Sequence, residues 1–277
     1  MVVGATGVLG RNVVPRLLER GHAVRAVIRR HAEAPFLQEL GAVPVVGDLF
    51  DIGSLDTAAQ GCDVALHLAT AIPKPGDQDW SENDRVRRAG TRNLIEAVLN
   101  SRVRRYVQQS ITLLYGGGGQ ALVDESTPLR PSEMTQSAAD MEGLVRATDL
   151  DWCILRGGLF YGPGTDREAS WRQAAREGRL TLPADGGDRI SLVHVADMAR
   201  AVVAAAESAP EGSTYNIVDD EPVSYRRLFT FLAAQLGLEP PPSGGPRVLP
   251  SLACSNAKAR RDLGWAPMYP TYRSGLT

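Results

Sequence analysis

The stretch that decides the fold lies at the start of the chain. It reads Met1-Val2-Val3-Gly4-Ala5-Thr6-Gly7-Val8-Leu9-Gly10 and is followed by an amphipathic run from Asn12 to Glu19. A short apolar run, glycines at every third position and an amphipathic run predict a strand, a tight turn and a helix. Glycine lets the backbone approach a bound pyrophosphate, and the helix N-terminus offers free amides to that anion. We therefore predict a dinucleotide site at Gly4, Thr6, Gly7, Val8, Leu9 and Gly10.

Strands and helices alternate along the next part of the chain. Apolar, β-branched strands are predicted at residues 23–28, 43–46, 64–68, 106–109 and 152–155, with helices at 82–100 and 132–148. Strands separated by helices of this length pair in parallel through right-handed crossovers. The pattern predicts an α/β fold, a Rossmann-type doubly wound parallel sheet.

The regular pattern loosens after about residue 163. We predict a helix at 170–177, an extended piece at 190–195, a helix at 198–207, a strand at 214–218 and a proline-rich loop at 239–246. The expected domains are a nucleotide-binding domain of residues 1–163, with returning segments around 190–220, and a smaller C-terminal cap of residues 164–189 and 221–277. A cap at the carboxyl ends of the strands would cover the place where doubly wound sheets bind ligands.

Composition narrows the class of partner. The chain has 277 residues, 43% of them hydrophobic and 22% charged, with a formal charge of -2 and no long run of like charge. We therefore expect no nucleic-acid partner, and the lack of a long apolar stretch or signal pattern leads us to expect no membrane partner and a cytoplasmic location. The three cysteines lack metal-ligand spacing, so no metal site is expected. With these partners excluded, we expect the chain to bind a small-molecule substrate.

Arginines replace the acidic residue that NAD sites place after the second strand. An acidic residue there binds the ribose 2'-hydroxyl of NAD, whereas arginine accepts the 2'-phosphate of NADP. Arg29 and Arg30 stand at this position, which favours NADP over NAD, although an arginine pair also suits a solvated strand end. Asp48, after the third strand, is placed to accept a hydrogen bond from the adenine; capping of the next helix is the alternative.

Several motifs, taken in order and spacing, resemble the extended branch of the short-chain dehydrogenase/reductase superfamily, the NAD-dependent epimerase/dehydratase group. Besides the glycine turn they are Asp63-Val64-Ala65-Leu66-His67-Leu68-Ala69, Gly90-Thr91-Arg92-Asn93-Leu94, Ser110 with Leu114-Tyr115-Gly116, Leu155 to Gly164, Val193 to Ala199, and Leu263-Gly264-Trp265-Ala266-Pro267. The resemblance implies a nucleotide-sugar or similar small substrate and a homodimer formed through two long helices. It extends the expected cofactor site to Leu49, Leu68, Ala69, Thr70, Ser110, Gly157, Gly158 and Leu159.

The reactive residues of that family are replaced in this chain. Family chemistry uses a tyrosine and a lysine four residues later, which share one helix face so that the lysine lowers the pKa of the phenol. Aligning the motif on Ser137 and Glu142 puts Met134 at the tyrosine position and Ala138 at the lysine position. The chain contains no Tyr-x-x-x-Lys. The usual serine or threonine is Ile111 and the usual asparagine is Arg87, so the standard proton relay is predicted to be absent.

Other polar side chains are candidates for the missing roles. Thr112 and Tyr115 follow the fifth strand and are the candidate catalytic hydroxyls, with packing in the loop as the alternative. Lys74, Tyr161 and Arg189 are candidate substrate-binding residues, and solvation of the two charged groups is the alternative there. His67 lies inside an apolar strand and is predicted to be a core histidine with satisfied hydrogen bonds rather than a base.

Two functions are compatible with these residues. The first is an NAD(P)-dependent oxidoreductase or epimerase/dehydratase-type enzyme that acts on a nucleotide sugar or small carbonyl compound without the Tyr-Lys relay. Orientation of the hydride donor and acceptor in a dry site supports such a reaction. The second is a non-catalytic NAD(P)-binding regulatory or accessory protein, which the emptied catalytic positions beside an intact glycine turn also suit.

Overall fold

The computed structural model describes residues 1–73, 78–119 and 121–276. Its strands are β1 Val2–Val3, β2 Arg25–Ile28, β3 Val43–Val46, β4 Val64–His67, β5 Arg105–Ile111, β6 Leu122–Val123, β7 Asp151–Gly157, β8 Leu159–Tyr161, β9 Leu182–Pro183, β10 Arg189–Ile190, β11 Leu192–His194, β12 Ser213–Ile217, β13 Val223–Ser224, β14 Ser243–Gly245 and β15 Ala253–Cys254. Its α-helices are α1 Gly10–Glu19, α2 Ala34–Glu39, α3 Ile52–Ala59, α4 Ser81–Arg85, α5 Thr91–Asn100, α6 Gln136–Arg146, α7 Arg167–Arg176, α8 Val195–Ser208, α9 Tyr225–Gln235, α10 Ala257–Leu263 and α11 Tyr272–Gly275.

The central sheet has seven strands in the order β12-β7-β5-β4-β1-β2-β3. β1 pairs in parallel with β2 and with β4, β2 with β3, and β4 with β5. Chain order reverses at β1, where the connections change direction, so the sheet is wound both ways from its first strand. The predicted Rossmann-type doubly wound parallel sheet is confirmed.

The chain divides into two compact units, each with a buried cluster of its own. Unit 1 comprises Met1–Ile111, Ser132–Arg156 and Ala199–Tyr215; unit 2 comprises Thr112–Pro131, Gly157–Met198 and Asn216–Thr277. The main core of unit 1 lies where α3 and α5 cover the sheet, and it includes Leu55, Ala58, Leu94, Ala97, Val98 and Tyr106. The core of unit 2 includes Tyr161, Leu182, Leu192, Leu228, Leu232 and Tyr272.

Several predicted elements differ from the observed ones, among them the loop at 239–246, which contains the short strand β14. The helix predicted at 82–100 is interrupted, because a π-helical segment, Val86–Gly90, joins α4 to α5. The helix predicted at 132–148 begins with a 3-10 turn, Glu133–Thr135, and continues as α6. α8 starts at Val195, directly after β11. Within the described part of the chain, no helix is long and apolar enough to span a membrane.

Candidate functional site

The turn between β1 and α1 accepts glycine alone at two positions. Gly4 has φ +87°, and a Cβ atom on it would lie 2.6 Å from the backbone nitrogen of Ala69. A Cβ atom on Gly10 would lie 2.1 Å from the carbonyl oxygen of Gly4. Gly7 differs, since its nearest neighbour would be the same oxygen at 3.4 Å. Gly4 therefore lets the turn approach the loop after β4, and Gly10 lets α1 pack against the backbone of Gly4 and Ala5, while the backbone at Gly7 stays open to a close approach.

The first turn of α1 leaves part of its backbone free to bind an anion, although the amides of Arg11 and Asn12 already donate to the carbonyl oxygens of Gly7 and Leu9 at 2.9 and 3.0 Å. None of the described side chains caps the helix at Leu9, and its first turn holds no acidic residue. Unsatisfied backbone amides and the helix dipole make such an end favourable for phosphate. An open backbone at Gly7 and an uncapped first turn after it fit the pyrophosphate of a dinucleotide.

Two asparagines hold the loops that follow β3 and β4. The side-chain amide of Asn93 donates to the carbonyl oxygen of Leu49 at 2.8 Å, and the Asn83 Oδ1 accepts from the backbone amide of Ala71 at 3.0 Å. Both asparagines belong to the helical stretch that begins with α4. Asn93 lies in one of the motifs that resemble the family, but the sequence alone predicted no role for Asn93 or for Asn83. Both are positioning residues for loops that carry predicted cofactor contacts.

Asp48 does not cap the helix after β3. Its Oδ1 accepts from the backbone amide of Phe50 at 2.8 Å, whereas α3 is capped by Asp51, whose carboxylate accepts from the backbone amide of Ser54 at 3.4 Å. The capping alternative for Asp48 was therefore wrong. Capping falls to Asp51 because it directly precedes the first helical residue, where a side chain reaches the amides of the first turn.

The two arginines after β2 have different surroundings. Arg30 pairs with Glu33 at 3.0 Å, although its side chain is 75% exposed. Arg29 is exposed, and no ion pair involves it among the described residues. An exposed ion pair contributes little to stability, so both guanidinium groups can bind a phosphate. Arg30 would exchange its ion pair with Glu33 for the phosphate, whereas Arg29 has no such pair to break among the described residues.

A buried polar layer lies in unit 1 beneath α6. The Glu142 carboxylate accepts from the Ser110 hydroxyl at 2.7 Å and pairs with Arg156 at 2.6 Å. Glu142 and Arg156 are 1% and 3% exposed. A charge pair this deeply buried is tolerated because further hydrogen bonds reach the carboxylate: Arg156 Nε donates to Glu142 Oε1 at 2.9 Å, and Arg146 donates to Glu142 Oε2 at 3.3 Å. The Ser110 hydroxyl, predicted to lie in the cofactor site, is thus engaged with Glu142.

Arg87 adds a second buried cation to this side of unit 1. It sits in the π-helical segment, is 8% exposed, and donates to the Ser137 hydroxyl at 3.1 Å. Burial lowers the pKa of its guanidinium. Met134 is 48% exposed and Ala138 is fully buried, so neither the tyrosine position nor the lysine position presents a group that transfers a proton.

His67 ends β4 as a neutral core residue. It is 1% exposed, neither ring nitrogen has a hydrogen-bond partner in the described structure, and burial lowers its pKa to about 4. The predicted burial of His67 in the core is confirmed, whereas the expected satisfied hydrogen bonds are wrong for the described part of the chain, and burial instead keeps the ring neutral.

The hydroxyl candidates of unit 2 are buried and hydrogen-bonded. Thr112 donates to the carbonyl oxygen of Gly157 at 3.3 Å, and the Tyr115 hydroxyl donates to the Asn216 Oδ1 at 2.8 Å. Tyr161 is fully buried, and its hydroxyl donates to the carbonyl oxygen of Thr271 at 3.4 Å. Burial raises the pKa of Tyr161, which opposes any role as an anionic phenolate.

The remaining candidates of unit 2 line strand ends. Gly158 and Leu159 donate backbone hydrogen bonds to Ile217 and Ser191, at 3.0 and 2.8 Å. The Arg189 guanidinium donates to the carbonyl oxygen of Pro222 at 3.0 Å. Lys74, the remaining substrate-binding candidate, lies outside the described residues.

The fold and the glycine turn together define a dinucleotide-binding α/β protein. Residues 1–218 match the model of the NAD dependent epimerase/dehydratase family. The chain belongs to this family.

Proteins similar to this chain include two reductases and an epimerase. The chain is 33% identical over its whole length to a Streptomyces 3-diazoavenalumate denitrifying reductase, of which it covers 98%. It is 32% identical, over 86% of its length, to the 4-hydroxy-2-methyl-3-oxo-4-farnesyl-3,4-dihydroquinoline-1-oxide ketoreductase of Stigmatella aurantiaca, of which it covers 73%. The solved structure of Thermus thermophilus UDP-glucose 4-epimerase in complex with NAD matches 99% of the chain, with 95% of that structure covered, a TM-score of 0.83 and 26% identity.

Proposed function

We propose that the chain is an NAD(P)-dependent reductase that delivers hydride to its substrate without a proton relay from tyrosine and lysine. One observation carries the proposal: the glycine turn keeps the geometry of a dinucleotide site, while Met134 and Ala138 occupy the reactive positions. Reductases at 33% and 32% identity support a reductive reaction.

The cofactor would be held by backbone at one end and arginine at the other. The first-turn amides of α1 would bind the pyrophosphate, and Arg29 with Arg30 would bind a 2'-phosphate, which makes NADP the proposed form. A bound reduced nicotinamide would supply the hydride. The further proposed contacts are Asp48, Leu49, Leu68, Ala69, Thr70, Gly157, Gly158 and Leu159.

The proposed acceptor is a diazo-substituted arene. Replacing an arenediazonium group by hydrogen takes up one hydride, breaks the carbon–nitrogen bond and releases dinitrogen, so atoms and charge balance without a proton from the protein. The name of the Streptomyces relative, a denitrifying reductase of a diazo compound, supports this class. The protein's own task is then to orient the acceptor and exclude water.

Carbonyl reduction is the competing function, and the ketoreductase relative supports it. It requires a proton at the new hydroxyl group. Thr112 and Tyr115 are the predicted donors, but both hydroxyls already donate to internal acceptors in unit 2. A buried hydroxyl whose hydrogen bond is already satisfied is a poor acid.

The test is single-turnover oxidation of NADPH by the purified protein. We expect oxidation with a hydroxyl-substituted arenediazonium compound, one dinitrogen per NADPH, and transfer of deuterium from labelled NADPH to the arene. UDP-glucose and simple ketones serve as competing acceptors. Turnover with ketones alone would replace the proposal by carbonyl reduction, and tight NADPH binding without turnover by any acceptor would favour the regulatory or accessory protein.

Tyr115→Phe separates the two reductive reactions. With a diazo acceptor we expect the rate to stay within about twofold, and the free energy of unfolding to fall by about 1 kcal/mol because one buried hydrogen bond is lost. Thr112→Val is the matched variant for the other hydroxyl. A hundredfold loss of rate in either variant would identify that residue as the proton donor.

We also propose a homodimer. A groove on unit 1 is lined by Arg88 of the π-helical segment, Arg92 of α5 and, along α6, Asp140, Gly143, Leu144 and Ala147. The family resemblance implies a dimer formed through two long helices of the sheet domain, and these helices belong to that part of the chain. Sedimentation of the wild-type protein should give twice the mass of the chain, and Gly143→Arg, which fills the groove, should give the monomer.

A further inference from the structure

Arg87 is a buried cation with a single neutral partner. Its guanidinium donates to the Ser137 hydroxyl, and in residues 1–73, 78–119 and 121–276 no carboxylate lies within ion-pair distance of it. Asp84, one turn earlier, pairs instead with Arg88 at 3.4 Å, and Arg88 also pairs with Asp140 at 2.7 Å. This contrasts with Arg156, whose charge Glu142 neutralises. A buried charge without a counter-ion is unfavourable unless an anionic group completes the site.

The Ser137 partner places this guanidinium beside the start of α6. Ser137 is the second residue of α6, which continues the 3-10 turn Glu133–Thr135, and a capping box of Ser132 and Thr135 satisfies the start of that turn. The helix dipole puts partial positive charge at that end, where an anion is stabilised and a cation is not. Burial lowers the pKa of Arg87, and the charge of Asp84 opposes part of that shift without forming an ion pair. The buried guanidinium and the positive end of the helix dipole therefore both favour negative charge near Ser137.

The side-chain amide of Asn83 is a second buried donor near Arg87, and it has no acceptor among the described residues. Asn83, one turn before Arg87, is fully buried, and its side-chain nitrogen has no partner in the described structure, while its oxygen holds Ala71 in the loop after β4. Residues four apart lie on one helix face. The π-helical segment that begins at Val86 is itself a feature found frequently at functional sites.

We propose that Arg87 binds a carboxylate of the acceptor substrate, an inference that rests on the reductase function proposed above. Its planar fork can bind a carboxylate through two parallel hydrogen bonds. The anion belongs to the acceptor because the cofactor's phosphates have their own sites at α1 and at Arg29. Met134, 48% exposed and one turn before Ser137, offers apolar surface for the attached arene. The acceptor is then a diazo arene that carries a carboxylate.

The experiment compares acids with their amides in binding, so that it needs no turnover. The wild-type protein, saturated with NADP, is titrated calorimetrically with benzoate and cinnamate and with benzamide and cinnamamide. We expect each acid to bind at least tenfold more tightly than its amide. Arg87→Gln should abolish the preference and leave the NADPH affinity within twofold. Arg104→Gln, which removes an arginine with an 82% exposed side chain, is the matched control and should change neither.

Three results would overturn the proposal. Equal binding of acids and amides by the wild-type protein would show that no carboxylate is recognised. Loss of NADPH affinity in Arg87→Gln with the acid preference intact would assign Arg87 to the cofactor. A lower melting temperature with unchanged binding would make Arg87 structural.

A conservative variant covers the case in which Arg87→Gln does not fold. Arg87→Lys keeps the charge and loses the fork, so acid binding should weaken by three- to tenfold while the preference over the amide persists. Full acid affinity in Arg87→Lys would contradict bidentate binding. Because these are binding measurements, a lack of NADPH oxidation would count against the proposed reductase function and leave the role of Arg87 to be judged on its own.

Discussion

The glycine turn and the buried polar layer belong to the same unit but are specified in opposite ways. At Gly4 and Gly10 the fold depends on the absence of a side chain, because a Cβ atom would meet backbone within 2.6 Å. Around Glu142, Arg156 and Arg87 it depends on which charged side chains are present and how they pair. Backbone geometry can therefore preserve a dinucleotide site while a few side-chain replacements nearby change the chemistry.

The largest effect is expected where backbone would be displaced. Gly10→Ala should lower NADPH affinity by more than a hundredfold and the free energy of unfolding by about 3 kcal/mol, because its Cβ atom would lie 2.1 Å from the Gly4 oxygen. Calorimetric titration and urea unfolding measure the two quantities. Gly53→Ala in α3, whose nearest neighbour would lie at 3.5 Å, should be neutral or stabilising by about 0.5 kcal/mol. If Gly10→Ala and Gly53→Ala changed stability equally, the glycine turn would not depend on the absence of a side chain at Gly10.

Acid should weaken the fold through His67. Burial lowers its pKa from 6.5 to about 4, so between these pH values the unfolded chain binds a proton that the folded chain excludes. Stability is then fully present above about pH 6.5 and falls by about 3 kcal/mol as the pH drops to about 4. His67→Leu should remove this part of the acid dependence in urea unfolding measured across that range. A parallel pH dependence in both proteins would mean that His67 takes up its proton in the folded state.

Restoring the family lysine should conflict with Arg87. Ala138 is fully buried next to Ser137, the partner of Arg87, so Ala138→Lys adds a second buried cation and should cost about 3 kcal/mol. In an Arg87→Asn background the cost should fall by about 1 to 2 kcal/mol. A double-mutant cycle in urea gives this coupling energy. Additive effects would show that the two positions do not sense each other's charge.

The smallest effect concerns cofactor choice. Arg29→Gln should weaken NADPH binding by about fivefold, or about 1 kcal/mol, and leave NADH binding unchanged. Arg30→Gln should have less effect because Arg30 is shared with Glu33. Parallel titrations with both cofactors measure the preference. A wild-type protein that binds NADH tenfold more tightly than NADPH would contradict the prediction of NADP.

The sheet could be predicted from the sequence because its signals are local. The apolar run before Gly4 and the alternation of strands and helices are visible within short windows, and the observed strand order agrees. The π-helical segment at Val86–Gly90 could not be predicted, because nothing in its composition distinguishes it from the helices on either side. Its wider hydrogen-bonding pattern depends on packing against α6, which the sequence does not reveal.

In the candidate site, too, the sequence could predict only the features that have a local signal. The glycines could be predicted because their spacing between a strand and a helix is itself typical of a dinucleotide site. The contacts of Ser110 and Arg87 were not, since each joins elements whose relative register appears only in the folded chain: Ser110 meets Glu142, and Arg87 meets Ser137. Asn83 was missed for the same reason, because its partner Ala71 lies in a loop after another strand.

The two asparagine contacts also have a consequence for motion. Asn83 and Asn93 stand ten residues apart on one helical stretch and tie down two separate loops, after β4 and after β3. The residues between them run from α4 through the π-helical segment into α5, so both asparagines belong to one continuous run of helix. The loops at Leu49 and Ala71 are thereby linked as one cooperative unit, and hydrogen exchange should show their amides opening together rather than one at a time.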